Sequence, residues 1–441
     1  MEFRTFFVSL LAVNIVIHLL RLPNLILENG GGAFLILFMI VLHIVALPLI
    51  LSEVSLQRVV RETRFKDLLV FKKASTHTMW VPGVTVGLRF LQLLMLFLLV
   101  VFCVFMTGLS FMYMTHFMGL SFRLKSFVLG GELVPPLNQS LLALVFLFTV
   151  AYQVFKRFQK VFLKTATKFI LPFCFSIFLV VFVKVLLSIN GFQGLKALFY
   201  PDFSQLKLDS LLLAIGHALI CMFVSLNFFN SSLFVEGKRD PVRVVIHGVI
   251  QSIFVALFIG VFAQPMFQQS SETSYGVSWI FSIFPRWLSY SPFGYYYCFL
   301  FYFALGSIFF YLSILCLKNT MVPLRSLVKK ESRLLEEKLF LATMSVVLSG
   351  VLILYQQPLK RWWGKTFFVS LDNIFVNYML PVLGVGSVWL MFIYTSKKER
   401  MALFQKQQVF FHNTYFFKVW EKGAFYFVPS LILIALVMSL F

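Results

Sequence analysis

Residues 21–53 read RLPNLILENGGGAFLILFMIVLHIVALPLILSE. One apolar segment runs into Arg21-Leu22-Pro23, the chain turns through the polar knot Glu28-Asn29-Gly30-Gly31-Gly32, and a second apolar segment runs to Glu53. Three consecutive glycines leave φ unrestricted and let another stretch of backbone come close. The stretch therefore reads as two helices joined by a tight turn.

Working outward, the same pattern fills the chain. Of 441 residues, 60% are hydrophobic and 12% charged, and the mean hydropathy is +0.90; a soluble domain carries about 25% charge. Eleven apolar segments are expected at roughly 5–24, 33–56, 80–112, 139–157, 166–189, 208–234, 242–264, 293–318, 338–356, 373–395 and 420–441. This is the pattern of a polytopic helical membrane protein. The first segment shows no cleavage pattern and reads as a retained helix.

In a soluble protein the net charge of +21 would point to nucleic acid, but its placement argues against that partner. Most Lys and Arg fall in alternate short connections, at 58–73, 156–168, 238–243, 318–338 and 397–406. The positive-inside rule then sets the N-terminus in the cytoplasm and, with eleven spans, the C-terminus outside, in the cell (inner) membrane. The basic side faces anionic lipid. Two long outer connections, 113–138 and 265–292, are expected, the second with Trp279, Phe284 and Trp287 placed for an interfacial hairpin. Asn138-Gln139-Ser140 matches a glycosylation acceptor, read as a chance match because it abuts a span. The five cysteines lie in apolar runs and read as small buried hydrophobes. The seven histidines show no metal-ligand spacing. No phosphate loop, dinucleotide fingerprint or nucleophile–base pair is present. No catalytic residue, metal or cofactor is expected, and an enzyme is not.

The ordered series Arg21, Pro23, Glu28, Asn29 to Phe34, Pro48 and Glu53 resembles the signature of the neurotransmitter:sodium symporter family. The resemblance extends to KTATKFILP at the start of the fifth segment, to the Pro-Asp-Phe stretch in GLKALFYPDFSQL, to LLLAIGHALICMFVSLNFF, and to residues 276–326 and 370–441. It implies an all-α integral membrane protein with a LeuT-like fold: two inverted five-helix repeats (1–190 and 205–396) plus an extra C-terminal helix (420–441). It also implies substrate and ion sites at mid-membrane, where the first and sixth helices break.

The departures from that pattern fall at the site. From Met1 to Leu22 there is neither Gly nor Pro, so the first helix is expected to run unbroken through Asn14 to His18; unwinding it in lipid would expose amides at several kcal/mol each. The sixth-helix break reads Ser225-Leu226-Asn227-Phe228-Phe229, without its glycines. At the family's sodium ligands stand His18 for an Asn and Cys221 for a Thr, with Val255 near a seventh-helix Asn and Ile308, Tyr311 and Leu312 on the eighth helix. A thiol and branched alkyl groups are poor sodium ligands.

By the same resemblance, Asn14, Ser225, Asn227, Phe228 and Ser313 are candidate substrate-lining groups, with plain interhelical hydrogen bonding as the competing reading. Arg21 matches an outer-gate arginine. The acidic gate position falls nearer Phe375, with Asp372 a turn outward as its substitute; the competing reading is an Arg that snorkels. His18 and His217 are either a proton-coupling pair in place of sodium or neutral hydrogen-bonded histidines. Lys184 is expected to snorkel.

Two functions stay open. One is a secondary transporter of an amino acid or small amine working by alternating access, with degenerate sodium sites and a proton as the alternative coupling ion. The other is a non-transporting relative that keeps the fold for membrane interaction or sensing.

Overall fold

The computed structural model describes residues 3–53, 81–122, 161–187, 198–222, 241–267, 279–289, 291–327, 361–362, 365–394, 396–398, 400–401 and 414–439. These form helices α1 (Phe3–Glu28), α2 (Gly32–Glu53), α3 (Val81–Ser121), α4 (Val161–Leu186), α5 (Leu208–Cys221), α6 (Pro241–Phe267), α7 (Phe284–Ser289), α8 (Gly294–Leu327), α9 (367–394) and α10 (414–438). Eight helices among the described residues are long and apolar enough to cross a membrane. A short antiparallel ladder, Arg361–Trp362 with Lys365–Thr366, precedes α9. The expected segments 139–157 and 338–356, the acceptor at Asn138 and most of the basic connections lie outside the described residues.

α1 lies along α6, α3 along α8, and α5 sits between α2 and α9. The central helices are the most enclosed: α1 is 83% and α8 78% buried over their apolar windows, whereas α10 is 22%. α4 and α10 turn Phe173, Leu179, Val180, Tyr426 and Leu433 outward, faces suited to hydrocarbon. Lys184 near the end of α4 carries its ammonium 5.7 Å from the Tyr297 ring.

The glycine turn is explained by what touches it. Gly30 and Gly31 adopt φ +80° and +64°, closing the end of α1 with the Gly31 N–H donating to Ile26 O at 2.8 Å. Segment 198–202 then presses on the turn: a Cβ on Gly30 would sit 2.1 Å from Asp202 O and one on Gly32 2.0 Å from Leu198 O. The Asp202 N–H donates to Gly30 O at 3.1 Å, and Ser210 on α5 bonds Asn29 Oδ1 at 2.5 Å. Asp202 is itself fixed: hydrogen bonds from the Ser204 hydroxyl and N–H and from Gln205 hold its carboxyl below the usual carboxylate range.

α1 is continuous through Asn14 to His18, as the glycine-free sequence predicts. It does not close at Pro23, however, but carries that proline inside and ends at Glu28. A proline has no N–H for the carbonyl four residues back, here Leu19. The Trp279 indole fills that gap, donating to Leu19 O at 3.0 Å. Trp279 and Phe284 are thus fully buried: residues 279–289 of the expected interfacial hairpin are helical and set these rings in the core, with Trp287 half-buried beside them, and residues 268–278 lie outside the described residues. Likewise the expected loop 113–138 begins within α3, where Phe117 stacks on Tyr302 at 5.7 Å. Removing the indole donor by Trp279→Phe should lower stability by about 1–3 kcal/mol, since it strands a buried carbonyl. Thermal unfolding in detergent measures this, and an unchanged midpoint would refute the cap.

Among the described residues five π-helical turns occur, at Leu42–Ala46, Ala166–Ile170, Trp279–Ile283, Asn373–Met379 and Gly423–Phe427. Each is followed two residues later by a proline: Pro48, Pro172, Pro285, Pro381 and Pro429. Each proline removes an i→i−4 bond and crowds that carbonyl, and widening the preceding turn relieves the clash.

Candidate functional site

Asn14, His18 and Arg21 recur at spacings of four and three, so they share one face of α1. Asn14 and His18 are fully buried. His217 faces His18 from α5, while the neighbouring Gly216 faces α9, where a Cβ would meet Asn377 Oδ1 at 2.6 Å; only glycine lets α5 approach α9 this closely. His217 and Cys221, one turn apart, point the same way.

The histidines meet directly. His18 Nδ1 lies 2.9 Å from His217 Nε2, and His18 Nε2 lies 3.1 Å from Ser252 Oγ on α6. Cys221 Sγ is 3.8 Å from His18 Nδ1 and 3.7 Å from His217 Nε2. Phe38 of α2 packs its ring on both imidazoles, at 5.5 and 5.1 Å between centroids. Two histidines and a thiol thus converge at a junction of α1, α2, α5 and α6. The histidine spacing in the sequence did not anticipate this, because His18 lies 199 and 203 positions from His217 and Cys221.

A turn from His18, Arg21 bridges to α9. Its Nε donates to Asp372 Oδ2 at 2.9 Å and its Nη2 to Asn377 Oδ1 at 3.1 Å. Asp372, not the Phe375 position, supplies the carboxylate. The reason is the π turn between them: residues five apart are neighbours in i→i+5 geometry, so Asp372 and Asn377 both face Arg21. Asn377 is held in turn by Asn373, with Nδ2 to Oδ1 at 3.1 Å. Among the described residues, the Arg21 Nη1 and both polar atoms of Asn14 are buried without a hydrogen-bond partner.

Other expected site residues fall elsewhere. Ser313 on α8 donates to Phe310 O of its own helix at 2.8 Å. Tyr311 bonds Ser9 of α1, which fills that part of the core. Val255 is buried, and the polar group α6 contributes is Ser252, a turn earlier. Ser225, Asn227 and Phe228 lie outside the described residues. A further, part-buried ion pair was not foreseen: Arg400, counted among the loop cations, bonds Glu421 at 2.8 Å and lies 4.4 Å over the Phe392 ring.

Apolar helices around a buried polar column are the architecture of a multi-pass membrane protein. Over 99% of this chain and 98% of the other, the structure is similar to that of MhsT in complex with L-phenylalanine, with TM-score 0.75 and 15% sequence identity. In sequence, the chain is similar to the uncharacterized sodium-dependent transporter YhdH of Bacillus subtilis (strain 168), 23% identical over 282 residues; this spans 62% of the chain but only 60% of YhdH. No protein-family model matches. The chain has the neurotransmitter:sodium symporter-like fold that Arg21–Glu53 led us to expect.

Proposed function

We propose that the chain is a secondary transporter moving an amino acid or small organic amine across the cell (inner) membrane by alternating access. The observation that carries this is the column on α1. Arg21 ties α1 to α9 through Asp372, and Asn14, two turns away, presents a buried amide with no partner among the described residues. A stranded buried amide costs about 1–3 kcal/mol, which a bound polar ligand would offset. With the N-terminus cytoplasmic by the positive-inside rule, the Arg21–Asp372 pair is the outer gate, and 1–190 and 205–396 are the inverted halves. The phenylalanine in the MhsT complex suits an amino-acid substrate.

YhdH is described as sodium-dependent, but the residues here do not fit that ion at this site. Sodium requires several hard oxygen ligands, and His18, His217 and Cys221 present nitrogen and sulfur. The direct His18–His217 contact favours a second reading, in which a proton gradient drives uptake.

Uptake of pooled labelled amino acids into proteoliposomes, under a sodium gradient, a pH gradient or none, tests both. Gradient-driven uptake is expected. Uptake driven by sodium alone would refute the reading of degenerate sodium sites. No uptake under any gradient would favour the non-transporting relative.

A further inference from the structure

We propose that His18, His217 and Cys221 form a binding site for a soft monovalent metal ion of the Cu(I) class. The inference goes beyond transport and stands without it.

The geometry is close to that of a three-donor site. With imidazole nitrogen about 2.0 Å and thiolate sulfur about 2.3 Å from an ion, neighbouring ligand atoms stand roughly 3.3–3.8 Å apart. Both sulfur–nitrogen separations, 3.8 and 3.7 Å, already satisfy this. The two nitrogens, at 2.9 Å, need to part by about half an ångström. All three ligand atoms lie within 4.8 Å of one another. The outer contact is in place as well: Ser252 engages His18 Nε2, orienting the ring so that Nδ1 faces the cluster, the arrangement that supports metal-bound imidazoles.

The donor set selects the ion. A thiolate with two imidazoles favours soft ions over hard ones. The three residues are fully buried, and Arg21 stands a turn away with its charge matched by Asp372. One thiolate and one monovalent ion make a neutral assembly. A divalent ion would leave a net charge in a dry site beside an arginine, which is costly. Binding forms two metal–nitrogen bonds and one metal–sulfur bond and releases the thiol proton to solvent. With the ion bound, His18 holds its ring proton on Nε2 toward Ser252 and His217 on Nδ1, an atom with no hydrogen-bond partner among the described residues, and the hydrogen bond between His18 Nδ1 and His217 Nε2 is given up.

The test uses the full chain in detergent with Cys103→Ser and Cys316→Ser, which removes a second pair of neighbouring thiols. The protein is reduced, incubated without chloride with Ag(I), the redox-inert analogue of Cu(I), or with Zn²⁺, desalted, and assayed for metal per chain and for thermal midpoint. About one Ag(I) per chain and a raised midpoint are expected. Both should be lost in Cys221→Ser and His217→Gln, and Ser252→Ala should weaken binding about tenfold. Two variants from different ligands guard against a single folding failure, and the metal-free midpoints report folding directly. Equal silver retention in the parent and in both ligand variants would overturn the site. Retention of Zn²⁺ in preference to Ag(I) would overturn the monovalent assignment.

Discussion

Gly30→Ala is expected to disrupt the helical bundle, with a stability loss of about 4 kcal/mol or more, in the range reserved for backbone strain and steric conflict. Two independent penalties act. At φ +80° an L-residue pays about 1–2 kcal/mol for the left-handed conformation. Its Cβ would also stand 2.1 Å from Asp202 O, a backbone atom that cannot swing aside as a side chain does. Relief requires segment 198–202 to withdraw, which breaks the Asp202 N–H bond to Gly30 O and loosens the approach to α5. Gly87→Ala on α3, where an added Cβ meets nothing within 4 Å, serves as control and should be neutral or mildly stabilising. The idea fails if Gly30→Ala unfolds within about 2 °C of the parent.

Arg21 and Asp372 should show a coupling energy of about 1–2 kcal/mol in a double-mutant cycle. The bond is charge-assisted and short, at 2.9 Å, but its acid is 33% exposed and so partly screened. Arg21→Met should cost more than Asp372→Asn, because it also strands Asn377 Oδ1 against α5. If the pair is the gate, Arg21→Met should reduce uptake at least tenfold while leaving substrate-independent folding measurable. Additive single-mutant effects, within about 0.5 kcal/mol, would show that the contact does not couple α1 to α9.

Much of this was legible in sequence wherever one residue type answers one physical demand. The glycine triplet announced a turn under close approach. His18 and His217 stood out because ionisable groups in apolar runs demand partners, and they proved to be each other's. Arg21 pointed to Asp372 only as a substitute, since helical spacing assumes 3.6 residues per turn and the π turn at Asn373–Met379 shifts the register. Ser252 was hidden for another reason. A serine on α6 looks like an ordinary helix-packing residue until the chain brings it to His18 from 234 positions away, whereas Cys221, 203 positions away, was set beside His18 by the family resemblance alone. Trp279 carried an aromatic signature that fits a membrane interface equally well; its role depends on the carbonyl that Pro23 leaves unpaired, a relation between two distant segments.

The pairing of prolines with widened turns also has a mechanical meaning. α2, α4, α9 and α10 each contain a joint where the hydrogen-bond ladder is locally slack, whereas α1 has its one weak link bridged by an indole from a neighbouring segment. The bundle is therefore a stiff axle surrounded by jointed struts. Bending will concentrate near Pro48, Pro172, Pro381 and Pro429, and α1 will move as a rod, carrying Asn14, His18 and Arg21 together. Amide exchange should accordingly be faster around those four joints than along residues 10–22.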